Sequence, residues 1–320
     1  MNNFFNLIAN ELIKTYIRKS TWVMYIVLAA IVIGAAAIVA AFDDTDKVSD
    51  NENWREALQA ENEALTKENE ETDEDDSFII DINMDTIHEN NYHLENNIEP
   101  IKYGAWQYTI ENSGLLSVVS LLTIIIAAGI VANEFRWGSI KLLLIRPISR
   151  TKILISKYIA VLLFALITLL FLLIINWITG ALFFGVEGFN PDIVLSKDGG
   201  YEAVSVISEV VSGYGYGLVN LVMMTTFAFM ISAVFRNSAL AIGTAIFLMF
   251  AGNTIVTAFA ERPFAKYILF ANTNLKQYAD GNVWIEGMTL GFSITVLIVY
   301  YLIFIALAWV FFVQRDVAGQ

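Results

Sequence analysis

Six long apolar stretches divide this 320-residue chain, and none of them contains Asp, Glu, Lys, Arg or His. A helix needs about 20 apolar residues to cross a hydrocarbon core of about 30 Å, and each stretch approaches or exceeds that length. The pattern therefore predicts an all-α integral membrane protein with six transmembrane helices. The predicted spans cover residues 22–42, 115–132, 158–184, 210–235, 237–260 and 287–313.

The residues before the first span follow a helical period instead of forming an apolar run. Phe5, Ile8, Leu12 and Tyr16 recur at intervals of three or four residues, and polar or charged residues occupy most positions between them. Such a pattern indicates an amphipathic helix. We expect this helix to lie in the membrane interface, within a cytoplasmic segment that covers residues 1–21.

The net charge of −13 comes from one part of the chain. Residues 43–114 hold 21 Asp and Glu but only 4 Lys and Arg, so this predicted loop carries −17 and everything else sums to +4. Basic residues near the ends of spans stay on the cytoplasmic side. With the N-terminus inside, the inner segments hold 11 basic and 3 acidic residues, and the outer segments hold 8 basic and 29 acidic residues. We therefore expect both termini in the cytoplasm and a large acidic extracellular loop between the first two spans.

The other connections follow from this orientation. Residues 133–157 and 314–320 are predicted to be cytoplasmic, and residues 185–209 and 261–286 extracellular. Only Arg236 separates the fourth and fifth predicted spans, which indicates a tight helical hairpin. In that hairpin, Asn237 or Ser238 is expected to cap the second helix.

Nothing in the sequence indicates bond-making chemistry. The chain has no Gly-x-x-x-x-Gly-Lys-Ser/Thr loop, so any ATP that it uses must bind to another polypeptide. It also has no Cys, which excludes thiol nucleophiles and thiolate metal sites. His88 and His93 are five residues apart and would not face one metal ion from a helix. We therefore expect this chain to be no enzyme and to hold no metal or cofactor of its own.

The absence of charge from the spans disfavours a proton-coupled secondary carrier, because such carriers need ionisable relays at depth. The strongest polar groups within the spans are Asn176, Asn220 and Asn253. Their ordinary role would be hydrogen bonding between helices. The functional alternative is that they line a translocation path, and we treat them as candidates for that role.

The predicted cytoplasmic segment 133–157 carries the most ordered pattern. A helix can begin near Glu134; Pro147 would end it, and Ser149 can cap the next helix. A basic hairpin that simply anchors in anionic lipid would explain the charge, but not this order of residues. The candidate docking residues for a partner are Glu134, Arg136, Trp137, Gly138, Ser139, Lys141, Arg146, Pro147, Ser149, Arg150 and Lys157.

The order Glu-x-x-x-Gly-Ser-x-Lys-x-Leu-Leu-x-Arg-Pro-x-Ser-Arg-x-x-x-x-x-Ser-Lys in this segment resembles permeases of the type-2 ABC exporter superfamily. The resemblance is strongest to permeases of bacitracin and lantibiotic self-protection transporters. It extends to Asn10-Glu11-Leu12-Ile13-Lys14, to the six-span layout and to residues 267–275. Where that family commonly has Gly-Thr, this chain has Gly138-Ser139, which keeps the hydroxyl group.

The resemblance implies a half-transporter in a bacterial plasma membrane. Segment 133–157 would then supply a coupling helix that docks on a separate cytoplasmic ATPase, and that ATPase would bind ATP and Mg²⁺. Two permeases, identical or paralogous, would pair within the lipid. Together they would export or clear an amphipathic or peptide-like compound, as in antimicrobial peptide resistance. No nucleic acid is implied as a partner.

A rival interpretation is a membrane sensor or receptor. In that case the acidic outer loop would bind a ligand, and the basic inner segment would pass the signal to a kinase or regulator. The family-like pattern in segment 133–157 favours the exporter. An ATPase that co-purifies with the chain would separate the two interpretations.

Overall fold

The computed structural model describes residues 2–42, 53–72, 77–138, 148–186, 188–189, 191–197 and 200–314. Helices dominate the described part of the chain, and one short antiparallel hairpin interrupts them. The elements are α1 Asn2–Tyr16, α2 Lys19–Phe42, α3 Trp54–Glu71, α4 Ser77–Asn96, α5 Ala105–Glu111, α6 Leu116–Arg136, α7 Arg150–Phe184, β1 Asp192–Lys197, β2 Gly200–Ser205, α8 Val206–Phe235, α9 Ser238–Phe259, α10 Leu269–Thr273 and α11 Leu290–Val313. Turns of 3₁₀ helix join α5 to α6 and flank α10.

Six of these helical stretches are long and apolar enough to cross a membrane. They are α2, the continuous stretch Ala105–Arg136, α7, α8, α9 and α11. The shortest has 22 residues, which at 1.5 Å per residue is about 33 Å and matches the hydrocarbon thickness. The prediction of an all-α membrane protein with six spanning helices is therefore confirmed.

Several of these helices continue beyond the predicted spans. The third begins at Arg150 instead of residue 158, and the second begins at Ala105 and ends at Arg136. Hydrophobicity alone misses these extensions because they contain charged residues. The predicted caps are confirmed, since the side chain of Ser149 accepts a hydrogen bond from the Lys152 amide and that of Asn237 from the Leu240 amide.

The core of the bundle lies around α6, α7 and α8. Helices α6 and α8 run parallel, and the Ser232 hydroxyl joins them by donating to the Ala128 carbonyl at 2.6 Å and accepting from the Ala132 amide at 3.1 Å. Helix α7 runs antiparallel to α8, with Tyr158 bonded to Thr226 at 2.7 Å. Helices α2, α9 and α11 leave many of their large apolar side chains exposed, as expected of surfaces that face lipid.

The alternating helix directions give the bundle two ends. One, here called the charged end, carries α1 and residues 136, 150, 236 and 313. The other, the hairpin end, carries α3, α4, the β-hairpin and α10. At the hairpin end, Tyr201 of β2 donates a hydrogen bond to the Asp85 carbonyl of α4 at 2.8 Å. This bond joins the β-hairpin to the helical hairpin of α3 and α4.

The long loop predicted at residues 43–114 contains more regular structure than its sequence suggested. Residues 78–100 show no clear period, yet most of them belong to α4. Asparagine side chains join α4 to α3: Asn90 donates to Asn62 at 2.9 Å, and Asn83 donates to Asn69 at 2.8 Å. Because these contacts between α3 and α4 are made by amides instead of leucines, the sequence shows no apolar period from which α4 could be predicted. The β-hairpin within the predicted loop 185–209 was also missed.

Candidate functional site

Seven of the eleven candidate docking residues are described, and they fall into two sets. Glu134, Arg136, Trp137 and Gly138 lie at the end of α6, and Ser149, Arg150 and Lys157 lie at the start of α7. Ser139, Lys141, Arg146 and Pro147 lie outside the described residues. Glu134, where the expected helix was to start, lies in the last turn of α6, which ends before Gly138 adopts a left-handed conformation with φ of 68°. The rest of that expected helix lies outside the described residues.

Four charged side chains meet where α1 packs against α6 and α7, and we call them the charged junction. Lys157 Nζ lies 2.7 Å from Glu11 Oε2 and 3.1 Å from Glu134 Oε1. Lys14 Nζ lies 2.8 Å from Glu11 Oε1 and 3.3 Å from Glu134 Oε1. Two lysines thus share two carboxylates, and the group is neutral as a whole.

Burial makes the charged junction a strong structural element. The Lys157 side chain is 1% exposed, and the two carboxylate side chains are 9% and 12% exposed. Charges this far from water persist only when they are paired and hydrogen-bonded. For Lys14, burial acts to lower the pKa, but the hydrogen bond and charge of Glu11, followed by those of Glu134, outweigh it and raise the pKa.

Two further contacts join helix ends to one another at the charged end. The Arg150 guanidinium donates to the Val313 carbonyl at 3.1 Å, which joins the start of α7 to the end of α11. The Arg236 guanidinium lies 4.2 Å from the centre of the Phe135 ring, which joins the end of α8 to α6. A force applied at the end of α6 or at the start of α7 would therefore reach several helices together.

An exposed surface adjoins the charged junction. Trp137 is 62% exposed, and the Arg18 guanidinium lies 5.5 Å from its ring centre. Arg136 and Lys19 are also exposed here. This combination of basic and aromatic side chains suits a partner that presents carboxylates.

The three asparagines proposed for a translocation path lie in two different environments. Asn176 is fully buried and donates to the Tyr214 hydroxyl at 3.0 Å, which is the ordinary helix-joining role. Asn220 and Asn253 instead line a cavity of about 320 Å³ in the half of the bundle nearer the hairpin end. We call this space the polar cavity.

Three helices and the segment around α10 form the polar cavity. Helix α8 contributes Gly213, Tyr216, Gly217 and Asn220 at helical spacing. Sequence reasoning missed most of the lining, although the spacing of Ser113, Ser117 and Ser120 was a visible signal. The other lining residues are Gly114, Leu116, Met224, Met249, Phe270, Thr273, Asn274 and Lys276.

Lys276 is the only charged residue among those described as lining the polar cavity. Its Nζ lies 2.7 Å from Glu209 Oε1 and 3.8 Å from Asp280 Oδ2. The Glu209 side chain is 3% exposed, and Lys197 approaches its other oxygen at 3.6 Å. The charge at the cavity wall is therefore already compensated. Across the described ranges, no group of three His, Asp or Glu side chains converges as a metal site.

Comparison with known proteins gives one family and two close relatives. Residues 78–318 match the family described as "Protein of unknown function (DUF2705)". The "Uncharacterized protein YhcI" of Bacillus subtilis (strain 168) is 44% identical over 319 residues, which cover 98% of this chain and 99% of that protein. The "Uncharacterized membrane protein YdbK" of the same organism is 34% identical over 203 residues, 62% of this chain and 78% of that protein.

Proposed function

This chain belongs to the DUF2705 family, and we propose that it is the membrane-spanning permease subunit of an ATP-driven exporter. A separate cytoplasmic ATPase would bind at the charged end, and a second permease would complete the pathway. The exported compound would be amphipathic or peptide-like. The chain itself would catalyse no covalent step. Its role would be to convert closure of the ATPase into relative motion of helices.

The observation that carries this proposal is the charged junction. It joins α1, α6 and α7 at the place where α6 ends and α7 begins. A docking element is useful for energy coupling only if it is attached rigidly to the helices that must move. The buried lysine and its two carboxylates provide such an attachment. A lipid anchor would need only exposed charge.

Two further features support the proposal. The polar cavity offers hydrogen-bonding groups within the predicted membrane region, as a path for a partly polar compound requires. Under the predicted orientation the inner segments of the sequence hold 11 basic residues, which favours a cytoplasmic location for the charged end. Helix α1 would then lie along the inner interface. Both relatives come from a bacterium, in keeping with a bacterial plasma membrane.

The first experiment reverses the charge of one exposed residue near the junction. Arg136→Glu should abolish co-purification of the ATPase and its ATP hydrolysis, because the partner's carboxylates would meet a negative charge. The readout is the amount of co-purified polypeptide that carries a nucleotide-binding loop, with its hydrolysis rate, at equal chain expression. Arg262→Glu is the matched control, since Arg262 is an exposed arginine at the hairpin end.

Arg136→Lys separates docking from lipid anchoring. Anchoring depends on charge, at about 1 kcal/mol per basic residue of either type, so lysine preserves it. Bidentate pairing with a carboxylate needs the planar guanidinium, so lysine weakens docking. If no such ATPase accompanies the wild-type chain, or if Arg136→Glu retains full ATPase binding, the proposal is wrong.

A second candidate, a membrane sensor, is favoured by a cavity of about 280 Å³ between α4, α5 and β1. Its lining combines Glu89, His93 and Glu111 with apolar residues of β1. If the chain is a sensor, filling this cavity by Val194→Trp should abolish signalling, and a kinase or regulator instead of an ATPase should co-purify with the chain. An exporter would keep ATPase association in the same variant, so the identity of the co-purified partner decides between the two functions.

A further inference from the structure

The lining of the polar cavity specifies a class of ligand. We propose that the cavity binds the uncharged, hydroxyl- or amide-bearing headgroup of an amphiphile, with the start of its alkyl chain. This proposal rests on the proposed function, since it takes the cavity as the first substrate site of the exporter. It is nevertheless testable on the chain alone, without an ATPase.

Charge is the first argument. Lys276 is the only charged residue among the described lining residues, and Glu209 and Asp280 already compensate its ammonium group. A ligand that brings its own charge would lose hydration without gaining a free counter-charge, which is unfavourable in a partly buried site. A neutral headgroup avoids this cost. The acidic surface of the hairpin end would further oppose the approach of an anion.

Hydrogen bonding is the second argument. The hydroxyl groups of Ser117 and Ser120 donate to the carbonyls of Gly114 at 2.7 Å and Leu116 at 3.0 Å, so their lone pairs can accept from a ligand. The amides of Asn220 and Asn253 can both donate and accept. Hydroxyl and amide headgroups also combine donors with acceptors, and they match this lining better than a headgroup with acceptors only.

Shape is the third argument. Leu116, Met224, Met249 and Phe270 give the cavity an apolar portion beside its polar one. Methionine side chains adapt to alkyl chains of different shape. A volume of about 320 Å³ lies at the lower end of the range of small-ligand pockets. It therefore suits one headgroup with a few methylene groups.

Two glycines of α8 make a matched pair for the test. A Cβ atom at Gly213 or at Gly215 would meet nothing within 4 Å, so both positions accept a side chain. Gly213 lines the polar cavity, whereas Gly215 is not among its lining residues. The native chain has no Cys, so Gly213→Cys and Gly215→Cys each introduce a single thiol.

The experiment measures how fast maleimide alkylates each thiol in phosphatidylcholine nanodiscs. The probes are octyl glucoside, octyl phosphate and octyltrimethylammonium, all below their micellar concentrations, together with glucose alone. Octyl glucoside should slow alkylation of Gly213→Cys, and each charged probe should need about tenfold more for the same effect, because its charge must be desolvated. None should slow alkylation of Gly215→Cys selectively.

A second variant excludes indirect effects on the thiol. Asn253→Leu removes one amide from the cavity wall at an exposed position, and it should weaken protection of Gly213→Cys by octyl glucoside. Equal protection by all three octyl probes would overturn the headgroup class. Equal protection by glucose would overturn the amphiphile, and no protection by any probe would overturn the site. None of these results depends on the ATPase, so each is distinguishable from failure of the proposed function.

Discussion

Each end of the bundle holds a buried carboxylate between two lysines, but the two ends use this chemistry differently. At the charged end, Lys157 is 1% exposed, and the space beside the junction is only about 20 Å³. At the hairpin end, Lys276 is 34% exposed and lies on the wall of a cavity of about 320 Å³. The first arrangement ties helices together. The second neutralises a wall and leaves room for a ligand.

The surroundings of an ion pair therefore decide its role more than the residues in it. In the charged junction, the Lys157 side chain is too buried to turn toward solvent when a partner is lost, so its ion pairs support the attachment of α1, α6 and α7. Around Glu209, both lysines can turn toward solvent if their partner is lost. The consequences of mutation should therefore differ in size between the two ends.

The largest effect is expected from Lys157→Met at the charged end. This change removes the buried ammonium group that pairs with both Glu11 and Glu134, while Lys14 is half exposed, and it should cost about 3–5 kcal/mol of unfolding free energy. A steep fall in thermal unfolding temperature in detergent, or loss of expression, would show it. Lys67→Met is the control, since its pair with Glu71 is 76% and 71% exposed and is worth at most about 1 kcal/mol.

Adding Glu134→Gln to Lys157→Met tests the cause of that loss. The double variant removes one positive and one negative charge, so it should recover part of the stability if an unpaired carboxylate is responsible. An additive loss in the double variant would instead mean that Lys157 acts through packing. In that case the contrast between the two ends would no longer concern charge.

A smaller effect on stability, with a larger effect on binding, is expected from Glu209→Gln. Lys197 and Lys276 are 18% and 34% exposed, so both can reach water, and the loss should be about 1–2 kcal/mol. The Lys276 ammonium would then lack its closest counter-charge. Thiol protection at Gly213→Cys should consequently shift from octyl glucoside toward octyl phosphate. An unchanged preference would show that Glu209 does not set the charge of the cavity.

The smallest effect concerns Glu89, a carboxylate of α4 that faces other acids. Burial, followed by the charges of Asp85 and Glu61, raises its pKa above the ordinary 4.5. The raised pKa means that protonated Glu89 contributes to the stability of the folded state. This contribution is fully present below pH 4.5 and is lost as the pH rises through the higher pKa of the folded state. Glu89→Gln should therefore stabilise the α3–α4 hairpin at pH 7 and make little difference near pH 4.

Cleavage by a lysine-specific protease after Lys67, within α3, measures opening of this hairpin in the full chain. At pH 7, Glu89→Gln should slow that cleavage, whereas Glu95→Gln, at an exposed position of α4, should leave it unchanged. Faster cleavage in Glu89→Gln would mean that the ionised carboxylate supports the hairpin. The proposed contrast with the lysine-paired carboxylates would then fail.

Much of the architecture was predictable because membrane spans depend on local composition. The six apolar stretches, the turn at Arg236 and the caps at Ser149 and Asn237 all follow from neighbouring residues. The helix α4 and the β-hairpin were missed because their partners lie elsewhere in the chain. An amide seam and a two-stranded pairing leave no strong apolar period.

The candidate site was only partly predictable. Glu134 and Lys157 were selected for a pattern in segment 133–157, but Glu11, the second carboxylate that pairs with Lys157, lies more than a hundred residues away. Asn176 and Asn220 looked equivalent in the sequence. Only packing shows that the first is buried against Tyr214 and that the second faces a cavity.

The sequence by itself determined that this is a membrane protein, how many spans it has and that its negative charge is concentrated in one segment. These properties depend on the free energy of transferring residues from water, which each stretch carries wherever it lies. The tertiary structure alone decided which charges are paired, which polar residues share a cavity and which helices a single lysine joins. These properties depend on distances between remote residues, and only the folded packing of the helices sets those distances.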